Sequence, residues 1–256
     1  MEPHPLPYRV FVLAGQSNMA GRGGVQNLSD GSKEWDGVMP LDCRGSGIQC
    51  WDASSRWRRA AEPLHAGIDT GKTCGVGPGM YFASRLLELK AYRPECKIGL
   101  VPCAIGGSSI TEWQPGSRNY VQMVQRTLAA LAASPEGSEL EALLWYQGES
   151  DAASLQQVRE YASKLTKVFS TFRNDIQCLQ LPIIQVAITC SSTKKAPYWQ
   201  QINDIQRGDE IIGEAVYTID ARGLALQADG LHLTCEAQVW VGRQLANTFM
   251  EKGLKS

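Results

Sequence analysis

Histidine is scarce in this chain: three in 256 residues, at positions 4, 65 and 232. Any chemistry that needs an imidazole therefore has only three candidates. An excess of charge of one sign is also lacking. Twenty-five Lys and Arg set against 26 Asp and Glu leave a formal net charge of −1, with a pI near 6.3. The strongly basic footprint of a nucleic-acid or anionic-membrane surface is absent. The longest basic clusters, 56–59 and 194–195, are short and read as solvated faces.

No stretch approaches the run of about 20 apolar residues that a membrane span requires. The N-terminus, MEPHPLPYRV, has neither the basic start nor the apolar core of a secretory signal. Read from Met1, the chain is expected to be cytoplasmic, opening with a short proline-rich arm. None of the eight cysteines forms a CxxC pair, so zinc-ribbon spacing is missing. Cys43 and Cys50 flank a Gly/Ser loop and could bridge in an oxidising compartment; the other reading is reduced thiols throughout. Repeats and low-complexity tracts are absent, and no linker is long enough to divide domains.

What is present is an ordinary globular balance, 43% hydrophobic and 20% charged. Five short apolar segments, at 8–14, 97–102, 141–146, 183–189 and 215–219, are bounded by Gly, Pro or polar residues, as buried parallel strands are. Helical periodicity runs through 78–91, 117–133, 155–176, 196–209 and 235–252, and Thr234 is placed to cap the last. This alternation predicts one α/β domain over residues 1–256, with a parallel sheet of about five strands between two helical layers. Residues 21–76, rich in Gly, Ser, Asp and Trp, interrupt it. They read as an excursion over the carboxyl edge of the sheet, a lid or substrate wall.

In sheets of this kind ligands bind beyond the carboxyl ends of the strands, so the segments after each strand carry the most information. After the first comes Gly15-Gln16-Ser17-Asn18-Met19. A serine at a tight strand exit can present its hydroxyl beside backbone N–H groups. It lacks the G-x-S-x-G elbow, since position 19 is Met, and an ordinary loop serine is the alternative. After the second strand, Gly106-Gly107 offers unobstructed N–H groups, or a plain turn. After the third, Gln147 brings a side-chain amide, and Ser150 or Asp151 is expected to cap the next helix.

Beyond the fifth strand, Asp229 precedes His232 by three residues, a spacing at which the carboxylate can orient the ring. His4 lies in the proline arm and His65 in the excursion, which leaves His232 as the histidine close after a strand. Serine, a glycine pair, an amide donor and an Asp/His pair supply every role acyl transfer needs.

Those blocks resemble the SGNH-type (GDSL-like) hydrolases, and more specifically family 6 of the carbohydrate esterases, which includes acetylxylan esterases and sialate O-acetylesterase domains. The likeness runs in order through FVLAGQSNMAGRGG (11–24), IDTGKTCGVGPGM (68–80), GLVPCAIGGSSITEW (99–113), LLWYQGESD (143–151), LPIIQVAI (181–188) and DGLHLT (229–234). The resemblance implies a three-layer flavodoxin-like fold. It implies Ser17 as nucleophile, Asp229 and His232 as its partners, and an oxyanion hole of the Ser17 N–H, the Gly107 N–H and the Gln147 side chain. Many SGNH enzymes carry Asn where this chain has Gln147.

Acetyl esters of carbohydrates are the expected substrates, small molecules or polysaccharides, with no metal or organic cofactor. Gly106, Glu149 and Trp113 are candidate supporting or substrate-binding residues. Glu149 could brace Gln147 or the histidine, or pair with an Arg; Trp113 could wall a pocket or only pack. Trp35, Trp51 and Trp57 either stack on sugar rings or hold the excursion down. The rival readings are a lipid esterase or thioesterase, a non-catalytic glycan-binding module, and a thiol enzyme using Cys103.

Overall fold

The computed structural model describes residues 6–39, 47–192, 194–208 and 214–253. Five parallel strands form its centre: β1 (Tyr8–Gly15), β6 (Lys97–Pro102), β7 (Glu139–Tyr146), β8 (Ile183–Ala187) and β9 (Val216–Asp220). Four shorter strands lie in the excursion: β2 (Val25–Asn27), β3 (Lys33–Trp35), β4 (Ile48–Trp51) and β5 (Trp57–Arg59). The large sheet runs β5-β4-β6-β1-β7-β8-β9, seven strands rather than the expected five, and β2 and β3 pair separately. The two added strands come from the excursion. β4 pairs parallel to β6, and β5 closes the edge antiparallel. Cys43 lies outside the described residues, so its suggested pairing with Cys50 does too, as does His4.

The helices are α1 (Ser17–Ala20), α2 (Gly79–Glu88), α3 (Arg118–Ala132), α4 (Leu155–Asp175), α5 (Trp199–Arg207) and α6 (Cys235–Thr248). From β1 the chain crosses through α2 to β6, then reverses through α3, α4 and α5 to β7, β8 and β9. Right-handed crossovers running in opposite directions place their helices on opposite faces. Accordingly α2 packs with α6, while α3, α4 and α5 form a contacting row. Both faces of β1 and β7 are thereby covered, which explains their unbroken apolar runs. Phe11 meets Phe82 and Phe249 edge-to-face on one side. Trp145 meets Trp113 and Phe169 on the other. Each such fully buried side chain contributes on the order of 1.5–3 kcal/mol.

Thr234 caps α6 by accepting from Ala237 N at 3.3 Å. The cap of α4 is Ser154, whose hydroxyl accepts from Gln157 N, and not Ser150 or Asp151. Those two belong to a 3-10 turn over Glu149–Ala153, where Asp151 has a different task described below. Among the described residues no helix is long and apolar enough to cross a membrane.

Candidate active site

The order in which strands are added reverses between β1 and β7, the point at which doubly wound folds leave a crevice. At the end of β1, Gly15 adopts φ +123°, and a Cβ there would overlap the Tyr146 carbonyl at the end of β7. Gln16 N donates to that carbonyl at 2.8 Å. The strand therefore turns sharply against its neighbour, and Ser17 opens α1 at the floor of the crevice.

Across from it, Asp229, Gly230, Leu231 and His232 form a tight turn. Asp229 Oδ1 accepts from Leu231 N at 2.9 Å and His232 N at 3.0 Å, and Gly230 sits at φ +65°. The other carboxylate oxygen lies 2.6 Å from His232 Nδ1, and His232 Nε2 lies 3.0 Å from Ser17 Oγ. Residues 215 positions apart thus form one continuous hydrogen-bonded array. Partial burial pushes the Asp229 carboxyl up, but the bonds from the His232 ring and from two backbone N–H groups outweigh it. The net effect holds the carboxyl well below the usual carboxylate range.

These groups face a cavity of about 860 Å³, lined also by Gly106, Gly107, Glu149 and Ser150. Gly107 lies at φ +78°, and neither its N–H nor that of Ser17 is bonded within the described residues. Both remain available to an oxygen atom in the cavity. The excursion supplies one wall of the cavity through Val25, Gln26, Lys33 and Lys72.

Gln147 departs from the expectation. Its side chain is fully buried and absent from the cavity lining. The amide nitrogen donates to Asp151 Oδ2 and to Ser108 O at 3.2 Å, with Gln16 Oε1 3.4 Å away, and Tyr161 OH donates to Gln147 Oε1 at 3.2 Å. No N–H is left to serve an oxyanion, so Gln147 is a brace beneath the site. Asp151, which also accepts from Ile110 N, completes that brace. Burial pushes its carboxyl up to about 6.

Trp113 is corrected as well. It is fully buried, donates to Ser108 Oγ at 2.8 Å and packs on Trp145, well inside the core. Trp51 and Trp57 pack on one another at 5.4 Å, and Trp35 rests against the core. None of the three lines the cavity, which decides for holding the excursion down. His65 is buried, and desolvation pushes it down to about 3, so it is a core histidine. Cys103 is buried off the cavity with its thiol pushed up to about 11 by desolvation, an inert arrangement.

Four residues escaped the sequence reading. Gln16 Oε1 accepts from Gly148 N and Ser150 N, both at 3.3 Å. Asn18 donates to Glu149 Oε1 at 2.6 Å and Leu231 O at 3.2 Å, and accepts from Leu233 N at 3.0 Å. Among the described residues Glu149 therefore bonds directly to neither Gln147 nor the histidine and pairs with no Arg. Its second oxygen is buried without a partner, and desolvation pushes the carboxyl up to about 7. Arg22 and Asp69 form a buried ion pair beside the cavity. A Cβ on Gly106 would overlap both, which is why that position is glycine. The signal for Gln16 and Asn18 was adjacency to the serine; Arg22 and Asp69 lie 47 positions apart, and no local pattern links them.

The family model described as carbohydrate esterase, sialic acid-specific acetylesterase, matches residues 7–251. The chain belongs to that family. A probable carbohydrate esterase of Arabidopsis thaliana is 42% identical over 246 residues, covering 95% of this chain and 91% of the relative. An X-ray structure of an Arabidopsis thaliana protein, 41% identical, superimposes with a TM-score of 0.89 over 98% of this chain and 100% of its own. More distant structures share the fold alone. A carbohydrate acetylesterase of Xanthomonas citri is 20% identical with a TM-score of 0.68, over 96% of this chain and 56% of that one. A lipase/acylhydrolase of Enterococcus faecalis is 12% identical with a TM-score of 0.54, over 97% and 100%. The chain is thus a carbohydrate esterase family member on a doubly wound α/β scaffold. Among the described residues no group of three or more His, Cys, Asp or Glu side chains could hold a metal ion.

Proposed function

We propose that the chain is a serine esterase that removes acetyl groups from carbohydrates. The observation that carries this reading is the array from Ser17 Oγ through His232 to Asp229, with bonds of 3.0 and 2.6 Å, opening into a cavity beside two unbonded backbone N–H groups. His232 Nε2 takes the Ser17 proton as Oγ attacks the ester carbonyl, and the Asp229 carboxylate stabilises the imidazolium. The N–H groups of Ser17 and Gly107 receive the charge that develops on the carbonyl oxygen. Collapse of the tetrahedral intermediate breaks the bond to the sugar oxygen, which leaves with the proton from His232. A water deprotonated by the same ring then attacks the acyl-serine, and acetate is released as Ser17 recovers its proton.

The lining supports a short acyl group. Among the described residues its aliphatic side chains are Val25, Ala228 and Leu231, too few for the continuous apolar groove of a long-chain substrate. The remaining lining is amide, hydroxyl, glycine and charge, chemistry suited to sugar hydroxyls. The test is acetate release from p-nitrophenyl acetate and from acetylated xylan by the wild type, Ser17→Ala and His232→Ala. Each variant is expected to lose about 10³-fold or more in kcat. A folded but inert wild type, or full activity in Ser17→Ala, overturns the assignment and favours a glycan-binding module.

A further inference from the structure

We infer that the cavity at Ser17 is one half of a longer groove whose continuation holds a second sugar unit of an oligosaccharide ester, an inference that rests on the esterase reading above. A second cavity of about 500 Å³ adjoins the first, and Gly71, Lys72 and Gly106 line both. Arg22 lines the first and its buried ion-pair partner Asp69 lines the second, so the pair forms the floor of the join. Gly106 lacks room for a Cβ because of that pair, so no side chain at that position divides the two spaces. An acetyl group occupies a small part of 860 Å³; each cavity falls within the roughly 300–1,000 Å³ that takes a whole drug-sized ligand.

The chemistry of the second cavity selects the occupant. Its aliphatic side chains are Ile68 and Ile105, too little apolar surface for an acyl tail. Facing them are the Thr70 hydroxyl and the Asn119 and Gln122 amides, none with a side-chain hydrogen bond among the described residues. Amides and hydroxyls offer both donors and acceptors, the match for ring hydroxyls that do the same. Arg118 completes the wall without an ion pair among the described residues.

The decisive comparison is kcat/KM on acetylated methyl xyloside, acetylated xylotetraose, acetylated cellotetraose and p-nitrophenyl acetate, for the wild type and Asn119→Ala/Gln122→Ala. At about fivefold per hydrogen bond gained, at least one tetrasaccharide should exceed the monosaccharide by about tenfold or more. The double variant should lose that advantage relative to its own rate on p-nitrophenyl acetate. Equal values for one sugar and both tetrasaccharides, or a ratio unmoved in the double variant, overturns the groove. Titrating xylotetraose and cellotetraose into Ser17→Ala, with and without the double substitution, reads the groove apart from catalysis. A wild type inert on p-nitrophenyl acetate would remove the esterase reading, and those titrations would then decide the groove alone.

Discussion

Glu149→Gln offers a quantitative test of the site's electrostatics. The wild-type carboxyl is 2% exposed, holds one hydrogen bond from Asn18, and buries its other oxygen without a partner. Glutamine keeps the shape and the acceptor while removing the charge. Burial raises the folded carboxyl from 4.5 to about 7. That gap corresponds to about 3 kcal/mol of proton-linked stability. The folded state binds the proton more tightly, so this stability is complete below pH 4.5 and lost as pH rises through 7. Urea unfolding followed by tryptophan fluorescence at pH 5, 6, 7 and 8 should therefore show the variant gaining on the wild type as pH rises. Between pH 5 and 8 the relative gain should be about 2–3 kcal/mol. Asp151 and Glu62 are raised by burial too, but both remain in the variant, so the difference between the two proteins reports Glu149 together with its coupling to Asp151. A difference independent of pH would refute the reasoning and mean the carboxyl is solvated.

Asp229→Asn should lower kcat/KM on p-nitrophenyl acetate by about 10²–10⁴-fold, since the amide no longer stabilises the imidazolium. Its carboxyl is held low when folded, so the stability it supplies is present above the unfolded value of 3.8 and lost as pH falls through the folded one. Thermal unfolding of variant and wild type should then converge on acidification, and a gap that widens would contradict this. Gly106→Ala should cost about 1–3 kcal/mol in urea unfolding, because the methyl meets the buried Arg22–Asp69 pair. Displacing one partner entirely would raise that to about 3–5 kcal/mol. A loss below about 0.5 kcal/mol, the scale of a neutral surface change, would show that the backbone there gives way freely.

The central strands were legible because strands buried on both faces must be apolar throughout, as in VFVLA and ALLWY. β4 and β5 were not, since IQCW and WRR are too short to show a period, and their pairing depends on β6 and on each other. Asp229 and His232 could be read together because three residues of one turn join them, and the edge rule placed Ser17 opposite. Gln147 could not be oriented that way. Its direction is set by Ser108 O, 39 positions earlier, and by Asp151, whose expected capping duty belongs to Ser154. Trp113 reads alike as pocket wall or core; its packing on Trp145 of β7, a tertiary contact, settles the matter.

The neighbours of Ser17 carry a further consequence. Gln16 is tied to the turn after β7, and Asn18 is tied on both sides of His232, through Leu231 O and Leu233 N. The spacing between serine and imidazole is therefore set by a short local frame and does not need to be relayed through the helical layers. Exposed faces of α4 can accumulate substitutions, and the wall can be rebuilt, while Ser17 Oγ and His232 Nε2 keep their distance. Such a frame separates the part of the molecule that must stay constant from the parts free to diverge.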